Sequence, residues 1–333
     1  MKIAVDVMGG DFGATPIIEG TIEALKEEDF SAILVGDSSV IESKIPLSLK
    51  DRVEVVHCVD FIKMDDLATN AIRRKESSIF VATDMLKSGQ AHALVSAGHS
   101  GATMSLATLR VGRIAGVSRP AIGAILPRID GGVVLLLDAG ANVDCKPEHL
   151  YEFALMGDIY AKSILGYSSP KLGILSNGEE ECKGDELSKE AYALLRGHPS
   201  FIGNIEGDNL FDGSVDVVIC DGFVGNIVLK TSEGIADAIV HLLKNFIQES
   251  SVSKMGALLM RGVFRKLKKR LDYAEYGGAP LLGVGGNVII CHGKSNPKAI
   301  HNAIKQAILA HQRQVNKKIA EAFEGKEELK SNK

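Results

Sequence analysis

Five short clusters of glycine and polar residues hold most of the side chains able to do chemistry. They are Asp6-Val7-Met8-Gly9-Gly10-Asp11, Ser96-Ala97-Gly98-His99-Ser100-Gly101-Ala102, Asp138-Ala139-Gly140-Ala141-Asn142, Ser176-Asn177-Gly178-Glu179-Glu180 and Asp221-Gly222-Phe223-Val224-Gly225-Asn226. Each follows an apolar run that reads as a strand. In open α/β sheets ligands bind beyond the carboxyl ends of the strands, so the five clusters are expected to converge on one edge. The cluster at 96–102 is the most informative, because it also opens a helical pattern. Free backbone N–H groups and the positive end of a helix make such a place receptive to an anion. Gly98 and Gly101 allow close approach of the backbone, and Ser96, Ser100 and Thr103 offer hydroxyls. The spacing is neither G-x-x-x-x-G-K-[ST] nor G-x-G-x-x-G, and Gly283-Val284-Gly285-Gly286 lacks the last glycine of a dinucleotide loop. Phosphate or a phosphorylated ligand fits better than a nucleotide. His99 reads either as a hydrogen-bonded structural group or as a catalyst.

Lys183, in Glu179-Glu180-Glu181-Cys182-Lys183-Gly184, is either part of a solvated charged turn or the cation that neutralises a bound anion. No Cys/His arrangement supports Cys182 as a nucleophile. Asp6, Asp11, Asp138 and Asp221 stand at strand ends. Clustered carboxylates can hold Mg²⁺, but capping of loop amides is the reading adopted for most of them, and no metal or cofactor is expected.

The elements that must position these residues are read from apolar periodicity. Strands are expected at Ile3–Val7, Ala32–Val35, Val53–His57, Ala93–Ser96, Ala121–Ile125, Val133–Leu137, Lys171–Leu175, Phe201–Ile205, Val215–Cys220 and Asn287–Cys291. Helices are expected at about Thr15–Lys26, Ile79–Ser88, Gly101–Val111, Pro147–Ile164, Leu187–Leu195, Gly225–Glu249 and Pro297–Phe323. Runs such as Val133-Val134-Leu135-Leu136-Leu137 do not alternate, the habit of parallel strands covered on both faces. The alternation predicts a layered, Rossmann-like α/β/α fold with a largely parallel sheet. One catalytic unit is expected over 1–323, as a single lobe or as two lobes sharing a cleft, with a polar tail at 324–333.

The chain has 333 residues, 45% hydrophobic and 24% charged, with a formal charge of −4. That composition excludes a disordered chain and argues against nucleic-acid binding. The five cysteines are scattered and form no CxxC pair, which suggests reduced thiols in the cytoplasm. No signal peptide is expected at the amino end, and no apolar run approaches the ~20 residues of a membrane span.

A different signal lies at Ser251–Leu271. Val252, Met255, Leu259, Val263, Leu267 and Leu271 recur at spacings of three or four, among Lys254, Arg261, Arg265, Lys266, Lys268, Lys269 and Arg270, with no acidic residue. A basic amphipathic helix suits a membrane surface or an acidic protein; a core or dimer helix with a solvated basic face is the alternative. Residues 246–275 are therefore expected to protrude as a membrane or dimer element, with Leu259, Val263, Arg265, Leu267 and Lys268 as its contact residues.

Taken in order, these motifs resemble the phosphate acyltransferase family of bacterial phospholipid synthesis. The resemblance runs from Met1 to about His311. It rests on the clusters at 6–11, 96–102 and 138–144, on Arg119-Pro120, on Lys146-Pro147-Glu148-His149-Leu150 and on Lys183-Gly184. It continues through Gly203-Asn204-Ile205-Glu206-Gly207, Asp216 to Gly225-Asn226 and Lys230, then Tyr276-Gly277-Gly278-Ala279 and His292-Gly293. His99 stands where the family usually has asparagine, Ser100 where it has threonine, and Gly285 where lysine or asparagine is usual. The resemblance implies attack of inorganic phosphate on the thioester of an acyl chain borne by acyl carrier protein. It also implies a fold like the isocitrate/isopropylmalate dehydrogenases and phosphotransacetylase. The expected setting is a cytoplasmic homodimer, peripheral at the membrane surface, with the membrane glycerol-3-phosphate acyltransferase as a downstream partner.

Phosphate near pH 7 already carries a nucleophilic oxygen, so no enzyme nucleophile is needed. On this reading the loop Gly98–Gly101 and Lys183 hold phosphate, with Gly9, Gly10, Asp11 and Asp221 lining the substrate site. Asn142 or Asn226 donates to the thioester carbonyl. Two rivals are a nicotinamide-dependent hydroxy-acid dehydrogenase on the same fold and a non-catalytic scaffold at a lipid surface.

Overall fold

The computed structural model describes residues 1–331. Eleven strands form one sheet: β1 (Lys2–Asp6), β2 (Ser31–Gly36), β3 (Val53–His57), β4 (Ala93–Ser96), β5 (Ala121–Pro127), β6 (Val133–Leu137), β7 (Leu172–Leu175), β8 (Phe201–Ile205), β9 (Val217–Ile219), β10 (Ala279–Leu282) and β11 (Asn287–Ile290). Their order is β3-β2-β1-β4-β11-β10-β5-β6-β9-β7-β8. Helices cover both faces, so the strands are buried on both sides. In β1, Ile3 and Val5 enter one core while Ala4 enters another. In β6, Leu135 and Leu137 face one core and Val134 and Leu136 the opposite one. This period of two explains why these strands read as unbroken apolar runs.

The layered α/β/α architecture is as expected, and seven of the ten strand pairings are parallel. The exceptions lie together at the middle, where β11, β10, β5 and β6 pair antiparallel in succession. β10 itself is not anticipated by periodicity. Ala279-Pro280-Leu281-Leu282 is short, contains proline and is bracketed by Gly277, Gly278 and Gly283, a pattern that reads as turn.

This reversal decides where the strand ends lie. One hydrogen-bonded row crosses the sheet. Val55, Leu34, Val5, Val95, Ile289 and Pro280 are successive partners. Leu281 opposite Ile122 carries the ladder into β5, and Gly123, Leu137, Ile219, Ile174 and Asn204 continue the row. β3, β2, β1 and β4 reach this row from one side; β6, β9, β7 and β8 reach it from the other. Both sets of carboxyl ends therefore stop at the same line, running in opposite directions.

The helices Pro297–Gln312 and Val315–Ser331 replace the single expected helix, separated where Gln314 takes a positive φ of 53°. The expected polar tail at 324–333 is helical through Ser331, and its last two residues lie outside the described residues. The basic segment forms two helices, Ser251–Leu259 and Arg261–Leu271, broken at Met260; neither contains a buried residue. They follow the 27-residue helix Gly222–Gln248, in which only Gly222 and Gly225 are buried. Within this chain the basic segment is thus not a core helix.

Candidate functional site

The five clusters do not meet on one edge. They form two groups set by strand direction. Ser96 and Asp138 are carried by strands four positions apart, about 19 Å at ~4.8 Å per strand, and the turn after β7 is six positions from β4, about 29 Å.

The first group gathers Asp6, Gly9, Gly10, Asp11 and the loop Gly98–Gly101. Asp6 is buried at the end of β1. It accepts from Ser96 Oγ (2.8 Å) and from the Met8 N–H (3.3 Å). Burial pushes its carboxyl up, and the hydrogen bonds from Ser96 and Met8 oppose that shift. Gly9 packs on Gly98 so closely that a Cβ on Gly9 would lie 2.5 Å from the Gly98 Cα. The Asp11 N–H donates to the Gly293 carbonyl (2.8 Å). His99 is the N-cap of the helix Ser100–Leu106. Its Nδ1 accepts from the Ala102 N–H (3.3 Å), and Nε2 donates to the Asp66 carbonyl (3.0 Å). Both ring nitrogens are therefore engaged with backbone, which is the structural role. The N–H groups of Ser100 and Gly101 have no partner among the described residues, and they are the open donors of this loop.

The second group gathers Asn142, Asp221, Asn226 and, across a cavity, Lys183. Asp138 ends β6 and organises the group from a fully buried position. Its Oδ1 accepts from the N–H of Ile122, Gly140 and Ala141; its Oδ2 accepts from the N–H of Ala141 and Asn142 and from Asn142 Nδ2. Burial pushes the Asp138 carboxyl up, and these donors pull it back. Asn142 Nδ2 also donates to the Pro120 carbonyl (2.7 Å). A primary amide has two N–H bonds, so both are taken, and the expectation that Asn142 donates to a substrate carbonyl has no free donor behind it. Asn142 instead holds the loop closed, and its carbonyl accepts from the Gly222 N–H (2.7 Å).

Asp221 is the N-cap of Gly222–Gln248, accepting from the N–H of Phe223 (2.8 Å) and Val224 (3.0 Å). Asn226 follows on the first turns, its side chain lying over Gly140. It is exposed, and its amide has no partner among the described residues. Cys220 and Cys145 adjoin this loop. Burial raises both thiols, Cys145 to about 12 and Cys220 well above its ordinary value, so neither is a thiolate near neutrality.

Lys183 stands in the turn after β7. Its N–H donates to the Glu180 carbonyl (2.9 Å), and the Gly184 N–H donates to Asn177 Oδ1 (2.9 Å). The stem of Lys183 runs over Gly178, where a Cβ would lie 2.8 Å from the lysine Cγ. The ammonium is exposed and has no ion-pair partner among the described residues. Between this turn and the Asp221 cap lies a cavity of about 460 Å³. Leu150, Ile174, Leu175, Leu187 and Val224 give it apolar walls; Ser176, Asn177 and Asp221 give it a polar rim. The walls were not singled out in the sequence because they carry the same apolar pattern as the core.

Among the described residues no group of three or more His, Cys, Asp or Glu is placed to hold a metal. Gly283–Gly286 lies in the turn between antiparallel β10 and β11, not between a strand and a helix, so it is not built as a dinucleotide loop. Leu259 lies on the helix Ser251–Leu259, and Val263, Arg265, Leu267 and Lys268 lie on Arg261–Leu271; Leu259 is 82% and Val263 55% exposed.

Comparison with known proteins agrees with this architecture. Residues 1–318 match the model of a family described as fatty acid synthesis protein. The chain is 62% identical over 323 residues to a phosphate acyltransferase of Wolinella succinogenes, covering 97% of this chain and 98% of that protein. It is 59% identical over 325 residues to a phosphate acyltransferase of Nitratiruptor sp., covering 97% and 98%. Among solved structures, a phosphotransacetylase from Streptococcus pyogenes superimposes with a TM-score of 0.62 at 15% identity, over 94% of each chain. A 4-hydroxythreonine-4-phosphate dehydrogenase from Klebsiella pneumoniae does so with 0.52 at 14% identity, over 94% of this chain and 99% of that one. At such identities the structures share the fold alone.

Proposed function

The chain belongs to the fatty acid synthesis protein family, whose relatives above are phosphate acyltransferases, and from that membership we infer that it is an enzyme transferring an acyl group to phosphate. The acyl donor on this reading is an acyl thioester of acyl carrier protein, and the acceptor is inorganic phosphate. A phosphate oxygen attacks the thioester carbonyl carbon. The new C–O bond forms, the C–S bond breaks, and the products are acyl phosphate and the carrier thiol. The leaving thiolate resembles cysteine, pKa about 8.5, so no strong acid is needed.

One observation carries the placement of the chemistry: an apolar-walled cavity is lined by Asn177 and Gly184 of the turn that carries the unpaired Lys183 and by Asp221 and Val224 of the segment that leads to the unpaired Asn226. Lys183 neutralises the incoming phosphate, Asn226 donates to the carbonyl oxygen as it gains charge, and the apolar walls take the start of the acyl chain. Cys145 and Cys220, whose thiols burial pushes up, are not suited to carry the acyl group as nucleophiles. The loop Gly98–Gly101, with Gly9, Gly10 and Asp11 behind it, is a second place receptive to phosphate, through the Ser100 and Gly101 N–H groups.

The basic helices give the enzyme its contact with an anionic membrane surface. Each Lys or Arg near an anionic leaflet contributes roughly 1 kcal/mol, and the exposed Leu259 and Val263 supply apolar area. No helix among the described residues is long and apolar enough to cross a membrane, so the contact is peripheral. Exposed Ile235, Ile239, Leu242 and Phe246 on the helix Gly222–Gln248 support pairing with a second copy. Acyl phosphate released at the surface would reach a membrane glycerol-3-phosphate acyltransferase. The deciding experiment incubates the protein with acyl carrier thioester and phosphate and follows free thiol. Release at the same rate without phosphate would refute the assignment.

A further inference from the structure

We propose that Asn204 is a positioning residue for phosphate binding, acting through the turn that carries Lys183; the inference rests on the role given to Lys183 above. Asn204 lies near the end of β8, beside Ile174 of β7 in the common row. It is 6% exposed. Its Nδ2 donates to the Glu180 carbonyl at 2.8 Å. That same oxygen accepts from the Lys183 N–H at 2.9 Å. One carbonyl thus receives the lysine backbone from one side and the asparagine amide from the other.

The rest of the turn leaves Lys183 little choice of direction. Gly178 lies under its stem, the Gly184 N–H is held by Asn177, and Gly184 has φ +98°. Without the amide of Asn204, the Glu180 carbonyl is anchored only within its own turn. Asn204 pins it to β8, inside the sheet, and thereby fixes the origin of the lysine side chain relative to the cavity.

The unsatisfied half of the amide argues for function over stability. Asn204 Oδ1 is buried and has no hydrogen-bond partner in the described structure. Burying an unpaired acceptor is destabilising. An apolar residue of similar volume would avoid that cost, and because Glu180 is an exposed residue, water can replace the donor its carbonyl loses. What such a residue lacks is the donor that fixes the turn. The position therefore trades stability for the placement of Lys183, a pattern associated with functional sites.

The test uses the full-length enzyme, inorganic phosphate and a soluble acyl carrier thioester. Asn204→Leu removes the donor together with the orphaned oxygen. The expected result is a phosphate KM raised about tenfold, a thioester KM within twofold of the parent and a melting temperature that does not fall. In the Lys183→Ala background, Asn204→Leu should add no further loss. Asn204→Leu with a normal phosphate KM, while Lys183→Ala is impaired, overturns the positioning role and leaves the lysine assignment standing. Multiplying effects in the double variant overturn it as well. A lowered melting temperature with both KM values raised alike would make Asn204 merely structural. A normal phosphate KM in Lys183→Ala removes the lysine from the site and the role of Asn204 with it.

Discussion

Gly225→Ala is the sharpest single perturbation of the site. Gly225 is the fourth residue of the helix Gly222–Gln248 and precedes Asn226. A Cβ there would land on the Asp138 carbonyl oxygen and lie 2.9 Å from Cys220 Sγ. Neither neighbour can move easily. The Asp138 carboxylate accepts from Ile122, Gly140, Ala141 and Asn142, and Cys220 is buried. Overpacking costs about 1–3 kcal/mol, while replacing glycine by alanine within a helix contributes about 0.8–1.0 kcal/mol of stability. With backbone as the obstacle the first effect is at the top of its range, so the net loss is about 2 kcal/mol. Gly234 lies in the same helix, is exposed and has nothing within 4 Å of its notional Cβ. Gly234→Ala should therefore stabilise by about 0.8–1.0 kcal/mol. Urea unfolding at unchanged m measures both. Because Asn226 is displaced with the helix start, Gly225→Ala should also lower kcat/KM at least tenfold, about 1.4 kcal/mol. A Gly225→Ala enzyme as stable and as active as the parent would refute the packing argument.

Asn142→Leu should destabilise by about 2–4 kcal/mol, since the Pro120 carbonyl and the Asp138 carboxylate each lose a donor; a melting temperature within a degree of the parent would contradict this. Burial holds the His149 imidazole below its ordinary range, and its Nδ1 accepts from the Lys146 N–H at 3.1 Å. The unfolded state then takes up the proton first as pH falls. Stability is full above about pH 6.5 and is lost as pH drops through the depressed folded value. His149→Gln should flatten urea midpoints between pH 5 and 7, whereas an unchanged slope would exonerate His149. Leu259→Glu with Val263→Glu should abolish cosedimentation with anionic vesicles and leave turnover of soluble acyl carrier thioester intact. Lost turnover with retained vesicle binding would instead make the basic helices the dock for the carrier.

Much of the fold is legible because the strands are buried on both faces. That same property hides their sense. Val133–Leu137 is equally apolar whether its neighbours run with it or against it, and in fact it pairs antiparallel with β5 and parallel with β9. Periodicity carries no information about this choice, which is set by residues far apart in the chain. The error propagates to the site. Each polar cluster was visible at the end of its strand, but their grouping depends on strand direction, so five loops expected on one edge became two groups. Residue type was likewise a partial guide. Asn142 and Asn226 look alike in sequence, yet one has both N–H bonds committed and the other has none. Asn204 stood in one of the motifs that carry the family resemblance, but nothing in its type or spacing told that its amide would reach the Glu180 carbonyl.

The place of β11 beside β4 has a consequence for how the protein is made. Asn287 follows Ser96 by about 190 residues, so this parallel pairing is among the most non-local in the chain and intrinsically slow to form. The helix Pro297–Gln312, which packs along Ala14–Glu27, arrives later still. While the ribosome is working, the amino-terminal strands must wait with one rim of β4 unpaired and the apolar side of Ala14–Glu27 uncovered. Nascent chains halted before residue 287 should therefore be captured by chaperones and be prone to aggregate, whereas those released after 323, once Val315, Ile319 and Phe323 have filled the core around Phe153 and Tyr160, should not.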